Sequence, residues 1–512
     1  MKTFTREEVA RHNTPQSAYI IIDSRVYDIT RFAALHPGGE QLLLDLAGKD
    51  VTGDFYGLHS QQVLHKYAPR LLIGSIEGEN FVDVAADAIV PFPYAESNFW
   101  FGHKSPYYKE SHVRFRQALR SWLVKEIVPD AASQDDLGKA PSPELYQKFV
   151  NFGAIVMALG PGPHLKGYNL PGGVKPEEFD YFHEMIWHEE TSRLGHFGYI
   201  TGFASGTVIG LPPLINFGKN HPVAQRMLGE VLSGKKRICL AITEPYAGSD
   251  VAQIRTTAVK SPCGKFYIVN GVKKWITNGC YCDYFTTAVR TGGPGMGGIS
   301  VLLIERTEGV QTKHIKTSYS ASAGTAYVIF ENVKVPVENL LGKENHGFPI
   351  VMSNFNHERW VMICSTVRQC RKAIEDCMKW ANQRVAFDKK LIEQPVIRFK
   401  LAGMISEVES IQNWLENVTY QMNNMSYKEQ SDKLAGPIAL LKFQATRVAT
   451  KVSDNACQIF GGRAITKTGM GSFIEGFQRT FKFQSILGGS EEVLADLGVR
   501  QAMRSMPQHA KL

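Results

Sequence analysis

Apolar positions follow three successive rhythms along the chain. First come short runs: Tyr19-Ile20-Ile21-Ile22 and Val26-Tyr27-Asp28-Ile29 flank Asp23-Ser24-Arg25 and read as two strands around a turn. His36-Pro37-Gly38-Gly39-Glu40 then turns the chain into a helix over Gln41-Leu42-Leu43-Leu44-Asp45-Leu46-Ala47, and a second histidine, His59, follows. Charge, glycine and proline replace this pattern between Glu77 and Pro93, so residues 1–78 are expected to form one compact unit and 79–105 a linker. From 106 to 236 the spacing is helical, as in the stripe Phe115, Leu119, Trp122, Leu123 and Ile127. Residues 237–342 return to strand patterns, including Ile299-Ser300-Val301-Leu302-Leu303-Ile304 and Ala326-Tyr327-Val328-Ile329-Phe330. A hairpin is predicted there, because Phe266-Tyr267-Ile268-Val269 and Val272-Lys273-Lys274-Trp275 flank Asn270-Gly271. Residues 343–512 are helical again.

A length of 512 residues supports two to four domains, and 44% apolar with 21% charged residues is ordinary for a globular protein. The net charge of +8 would suit a nucleic acid, yet no basic run is interleaved with aromatics. No nucleic-acid partner is expected, and a phosphate-bearing small molecule accounts for the excess as well. No apolar run approaches the roughly 18 residues of a membrane span. Met1 to Glu8 is not a secretory signal, so a soluble intracellular protein without a membrane span is expected. All eight cysteines lie between Cys239 and Cys457, which argues against a disulfide framework, and Cys280-x-Cys282 is one residue too tight for the usual metal or redox pair. The chain ends Ala510-Lys511-Leu512, a small-basic-leucine variation on the Ser-Lys-Leu signal, so a peroxisome and its import receptor are the expected address and partner.

Two segments carry candidate chemistry. In Thr243-Glu244-Pro245-Tyr246-Ala247-Gly248-Ser249-Asp250 a strand end, Leu240-Ala241-Ile242, runs into a turn that exposes backbone N–H groups and hydroxyls, a cradle for a polar ring edge. Lys274-Trp275-Ile276-Thr277-Asn278-Gly279 delivers an indole and a hydroxyl to one place. In this order they resemble the flavin-facing loops of the acyl-CoA dehydrogenase family, and the resemblance extends over about residues 106–503. It includes Glu331-Asn332-Val333-Lys334-Val335-Pro336 with Asn339-Leu340-Leu341-Gly342, then Arg384-x-x-Phe387 and Gln458-x-x-Gly461-Gly462.

The resemblance implies an α+β multidomain fold with an N-terminal helical domain, a middle β domain and a C-terminal four-helix-bundle domain. It also implies FAD, an acyl-CoA substrate, and a homodimer or homotetramer with shared flavin sites. Ile242, Thr243, Gly248 and Ser249 would contact the isoalloxazine edge, and Ser249 the substrate as well. Trp275 would stack near the ring, with Thr277 close to N5. Arg384 and Phe387 would reach the pyrophosphate of a neighbouring subunit, Gln458 and Gly462 the adenine side, and Ser490 and Glu492 the flavin.

Dehydrogenating a thioester requires a carboxylate to remove the α-proton. Many relatives carry it where this chain reads Ile486-Leu487-Gly488-Gly489-Ser490-Glu491-Glu492, and the position is Gly488. The Gly488 N–H survives, and in the family that group helps hold the thioester oxygen. Isovaleryl- and long-chain-specific members place the base in a Glu-Arg pair after the β domain, and His357-Glu358-Arg359-Trp360 stands there. Glu358 is therefore the expected base and Arg359 a substrate contact, with Glu491 or Glu492 as the fallback base. Residues 4–76, with Leu72-Ile73-Gly74 closing them, resemble cytochrome b5, which implies haem b between His36 and His59. Their spacing is one residue shorter than usual, so His65 is an alternative second ligand, and a haem-free module is the alternative to both.

The expected activity is α,β-dehydrogenation to a 2-enoyl-CoA with electrons passed to the fused haem domain, in β-oxidation or a secondary-metabolite acyl pathway, as in fungal peroxisomal members. An oxygen-using acyl-CoA oxidase and a non-catalytic acyl-CoA- or haem-binding subunit are the competing readings.

Overall fold

The computed structural model describes residues 2–59, 61–79, 87–89, 92–134, 137–319, 321–507 and 509. They divide into two units, one of Met1–Val90 with Ile374–Gly403 and Asn455–Glu475, the other of Pro91–Ala373, Met404–Asp454 and Gly476–Leu512. The import tripeptide at 510–512 lies outside the described residues.

The first unit holds a five-stranded sheet in the order Lys2–Phe4, Leu72–Ile76, Arg25–Asp28, Ser17–Ile22, Asn13–Thr14. Asp23 and Ser24, both with φ near +55° as a type I′ turn requires, pair Ile22 with Arg25 as the sequence predicted (φ 50 and 59). Alternation along Ser17–Ile22 feeds two small cores, Ile20 and Ile22 with Tyr27, Ile29 and Leu64 on one side, Ile21 with Phe4, Val9 and Val26 on the other. The predicted first helix is shorter than its apolar run, Glu40–Leu44.

The second unit opens on helices. Glu110–Trp122 buries Phe115 and Leu119 and continues through a widened π turn, Leu123–Ile127, that keeps Leu123 and Ile127 inward. Ahead of that helix, Ala95, Glu96 and Ser97 in the expected linker are buried. The Glu96 carboxylate lies 2.5 Å from Arg116, 3.3 Å from Arg120 and 3.0 Å from Arg368, and Glu190 is 2.8 Å from Arg116. These charges are buried together, which is tolerable because each has partners, and Glu96 fastens this part of the expected linker to helices Glu110–Trp122 and Phe355–Gln383.

The β part is an eight-stranded sheet whose order runs Val310–His314, Ala326–Pro336, Phe266–Ile276, Thr257–Lys260, Tyr284–Arg290, Ile299–Glu305, Leu340–Leu341, with Ile238–Ala241 parallel to Tyr284–Arg290. The predicted hairpin at Asn270-Gly271 is not formed: Phe266–Ile276 is one continuous strand with a bulge there. Two neighbours override the local turn signal. Asn270 exchanges hydrogen bonds with Asn332 on the adjacent strand, and Thr256 approaches so closely that a Cβ on Gly271 would lie 2.6 Å from its Cα. Glycine is required there by the neighbour's backbone rather than by a reversal.

The remaining helices include Phe355–Gln383, Pro395–Asn423, Ala435–Phe460, Ser472–Ile486 and Glu491–Arg504, completing the expected α+β multidomain architecture. The stretch Gly198–Phe217 is long and apolar enough to cross a membrane by composition, against the expectation that no run approaches this. It is two helices meeting at Leu211–Pro212, and the first packs on Ile238–Ala241, so its apolar character serves a protein core.

Candidate active site

The two predicted loops meet. Lys274 donates its backbone N–H to Thr243 O at 2.8 Å, joining the strand that carries Trp275 to the turn Glu244–Ala247. Beneath them lies an ion pair that sequence reading missed: Lys273 Nζ, fully buried, sits 2.7 Å from Glu244 Oε1 and 2.9 Å from Ile242 O. Glu244 also accepts the N–H groups of Arg255 and Thr256. Burial pulls the Lys273 pKa down to about 8, and Glu244 opposes the shift. The one available signal was a lysine at an inward strand position. Lys273→Met would leave Glu244 buried without its cation, so a loss of about 3–5 kcal/mol in unfolding free energy is expected. Adding Glu244→Gln should recover part of it; a single variant as stable as the parent in chemical denaturation would contradict the anchor.

Past Lys273 the alternation breaks at Trp275, whose φ of 64° turns the indole outward to 49% exposure. A bulky residue held in this left-handed region is strained. Gly248 and Ser249 are exposed on the neighbouring turn, whereas Ile242 is buried and Thr243 half-buried. Thr277 lines the cavity described next. Asn278 fixes this corner, accepting from Gly206 N–H and donating to the carbonyls of Thr201 and Ala323. An outward indole, exposed backbone and a hydroxyl suit a planar aromatic cofactor such as a flavin.

The cavity runs between helices Tyr181–Ser192, Phe197–Gly210, Phe355–Gln383 and Ser472–Ile486 and includes Trp187, Thr277, Glu358, Met362 and Phe483 in its wall. Glu358 accepts a hydrogen bond from Asn354 Nδ2 at 3.1 Å, and desolvation raises its pKa to about 7. A carboxyl poised there is suited to take a proton near neutral pH. Beside it, His357 Nε2 lies 2.8 Å from the buried Glu184, which also meets His188 at 3.4 Å, and this pairing raises the His357 pKa against its burial.

Gly488 has φ 68°, and a Cβ there would lie 3.1 Å from Met362 Cε. Met362 thus occupies the space into which a side chain at 488 would project. None of the hydrogen bonds of the described residues takes up the Gly488 N–H, which leaves it available as a donor. Arg359 is 9% exposed; its Nε donates to Gly488 O at 2.9 Å and its Nη1 to Asn356 at 3.1 Å. Here it braces the glycine turn, a role the sequence did not suggest. Lys442 Nζ holds the next carbonyl, Gly489 O, at 3.0 Å. Ser490 precedes the helix Glu491–Arg504 as its N-cap; Glu492 has its pKa lowered by its own backbone N–H and then by the Ser490 hydroxyl. Neither Glu491 nor Glu492 lines the cavity among the described residues.

The other predicted contacts belong to the first unit. Arg384 leads into a two-strand turn, Val385–Ala386 with Lys389–Lys390, that projects Phe387 at 91% exposure. Gln458 lies on Ala435–Phe460, and Gly462 in the turn after it. In the same unit the rings of His36 and His59 have centroids 6.1 Å apart. That is close to the separation of two imidazoles sharing one metal ion at metal–nitrogen distances of about 2 Å. The ring of His36 folds over Gly38, where a Cβ would lie 2.8 Å from His36 Cε1, and its Nδ1 lies 3.2 Å from Gly39 O. His59 has its pKa lowered by burial and by His36, as a neutral metal ligand should. These two histidines fit a haem iron. The side chain of His65 lies outside the described residues. A third grouping, buried His112 and His183 about Asp180 at 2.9 Å each, is a helix N-cap: Asp180 accepts the N–H groups of Phe182 and His183.

Three family descriptions match the chain: a cytochrome b5-like haem/steroid binding domain over residues 5–77, an acyl-CoA dehydrogenase middle domain over 239–333, and an acyl-CoA dehydrogenase C-terminal domain over 345–503. The chain is 40% identical over 420 residues to the acyl-CoA dehydrogenase apdG of Emericella nidulans, covering 80% of this chain and 95% of that one. It is 37% identical over 421 residues to the acyl-CoA dehydrogenase AFT10-1 of Alternaria alternata, covering 81% and 96%. A crystal structure of a probable acyl-CoA dehydrogenase from Mycobacterium abscessus aligns with a TM-score of 0.68 at 28% identity, over 77% of this chain and all of the other. With flavin-facing loops, cavity and relatives in agreement, the chain belongs to the acyl-CoA dehydrogenase family, an FAD-dependent enzyme of α,β-dehydrogenation that carries a cytochrome b5-like domain ahead of its catalytic domains.

Proposed function

We propose that Glu358 is the base of this enzyme and that the thioester lies in the cavity between it and the Trp275–Thr277 corner. The observation that carries the proposal is the Glu358 carboxyl on the cavity wall with its pKa raised to about 7. FAD bound at that corner supplies the acceptor for the β-hydrogen, which leaves as hydride. Glu358 takes the α-proton, and the Gly488 N–H donates to the thioester oxygen, which acidifies that proton. Asn354 orients the carboxylate. The proton-accepting form is the ionised one, so flavin reduction should rise with pH through about 7 and level off above it. A rate flat from pH 5.5 to 8.5 in anaerobic rapid mixing would overturn the assignment.

His36 and His59 are proposed to hold haem b. A bis-histidine centre has no open position for oxygen and serves as a one-electron acceptor, which favours onward electron transfer over oxidase chemistry. The projecting Phe387, with Val396 and Phe399 also exposed, supports a second copy covering this surface, where Arg384, Gln458 and Gly462 would serve the partner's cofactor. The tripeptide Ala510-Lys511-Leu512 supports a peroxisomal address.

A further inference from the structure

The cavity beyond Glu358 is not uniformly apolar. On helix Phe355–Gln383, Ser365 and Gln369 follow Glu358 by seven and eleven residues, two and three helical turns, and therefore share its face. Both line the cavity, as does Gln484 across it. Gln369 is 4% exposed. Gln484 Oε1 is buried without a partner, and among the described residues neither the Gln369 amide nor the Ser365 hydroxyl takes part in a hydrogen bond. Some other polar groups of this wall are satisfied internally. Thr191 donates to Trp187 O at 2.9 Å, and His357 and His188 share Glu184. Ser365 also departs from its neighbour Thr366, which bonds back to Met362 O at 2.7 Å as mid-helix hydroxyls commonly do. Leaving a buried polar atom unpaired is destabilising, so Gln484 Oε1, with Gln369 and Ser365 lining the same cavity, suits a polar atom that the ligand brings.

We infer that the substrate class is an acyl-CoA whose chain carries a hydroxyl or carbonyl oxygen far from the thioester, received by Ser365, Gln369 and Gln484. At a rise of about 1.5 Å per residue these helix positions lie roughly 10 and 16 Å beyond Glu358. An extended chain with C–C bonds of about 1.5 Å advances about 1.25 Å per carbon, which places the oxygen roughly eight to thirteen carbons past the reacting pair. A plain alkyl chain would fill the same space and strand the amides, a penalty that discriminates by rejection rather than by added attraction.

This inference rests on the cavity being the acyl site, as proposed above. The test compares 16-hydroxyhexadecanoyl-CoA and 12-hydroxydodecanoyl-CoA with the unsubstituted thioesters, on the full-length FAD-loaded protein. Flavin reduction is followed without oxygen, and binding is read separately by calorimetry. At least one hydroxylated thioester is expected to bind and react about tenfold better than its plain counterpart. Gln369→Met and Ser365→Ala, each near in volume to the parent residue, should shrink that ratio toward one. Plain chains favoured at both lengths, or a preference that survives both substitutions, would overturn the inference. Tight, selective binding without flavin reduction would instead count against Glu358 as base and leave the polar pocket standing.

Discussion

Glu358→Gln protein, loaded with FAD, is expected to reduce its flavin about 10²–10⁴-fold more slowly than the parent when mixed with an acyl-CoA under anaerobic conditions. Glutamine keeps the shape of the side chain and the contact with Asn354 but cannot accept a proton. The variant should fold. A carboxyl whose pKa rises from 4.5 to about 7 on folding favours the folded state only in its protonated form. Relative to that form, stability is intact below the unfolded value and declines as pH rises through the folded one. Removing the charge therefore leaves the fold at pH 8 no weaker than before. Denaturation midpoint and FAD content provide the control, and parent-like flavin reduction in the variant would place the base elsewhere, with Glu491 and Glu492 next to be tried.

If His36 and His59 hold haem as proposed, its loss from His59→Ala or His36→Ala protein is the second large expected effect. Each variant removes one of two axial nitrogens, and the low-spin bis-histidine spectrum should disappear in both, with haem content falling well below that of the parent. Flavin content should be unaffected. Parent-like Soret absorption in both variants would contradict the ligand pair. Retention in His59→Ala together with loss in His65→Ala would move the second ligand to the following helix, whose start at Gln61 lies two residues past His59.

Much of this architecture was legible because short and long periodicities respond to different neighbours. The turn at Asp23-Ser24 was readable locally, since both residues tolerate positive φ and the flanking strands alternate. The signal at Asn270-Gly271 was equally strong and misleading: the partner strand with Asn332 and the close approach of Thr256 determine what that glycine does, and neither is near it in sequence. The positions of Trp275, Thr277 and Glu358 followed from family resemblance, whereas their supports did not. Glu244 and Lys273 are 29 residues apart, and only the folded sheet makes them a pair. Arg359 was expected as a substrate contact from the Glu-Arg resemblance, and its bond to Gly488 O, 129 residues away, was not legible in the sequence. Met362, which fills the space of the absent side chain at 488, had no distinguishing mark in a helical apolar stripe.

If Glu358 is the base as proposed, Gly488 is one half of a relocation rather than a loss. The glycine turn is clasped by Arg359 and Lys442, Met362 lies where a side chain at 488 would project, and on the proposal above Glu358 presents the carboxylate from helix Phe355–Gln383 instead. Rapid anaerobic mixing of the FAD-loaded protein with an acyl-CoA, and with the same thioester deuterated at C2, tests this most directly. The expected result is full bleaching with one 2-enoyl-CoA formed per flavin, slowed by the deuterium, and accelerating as pH passes about 7. Flavin that stays oxidised with every acyl-CoA tried, plain or hydroxylated, would contradict it.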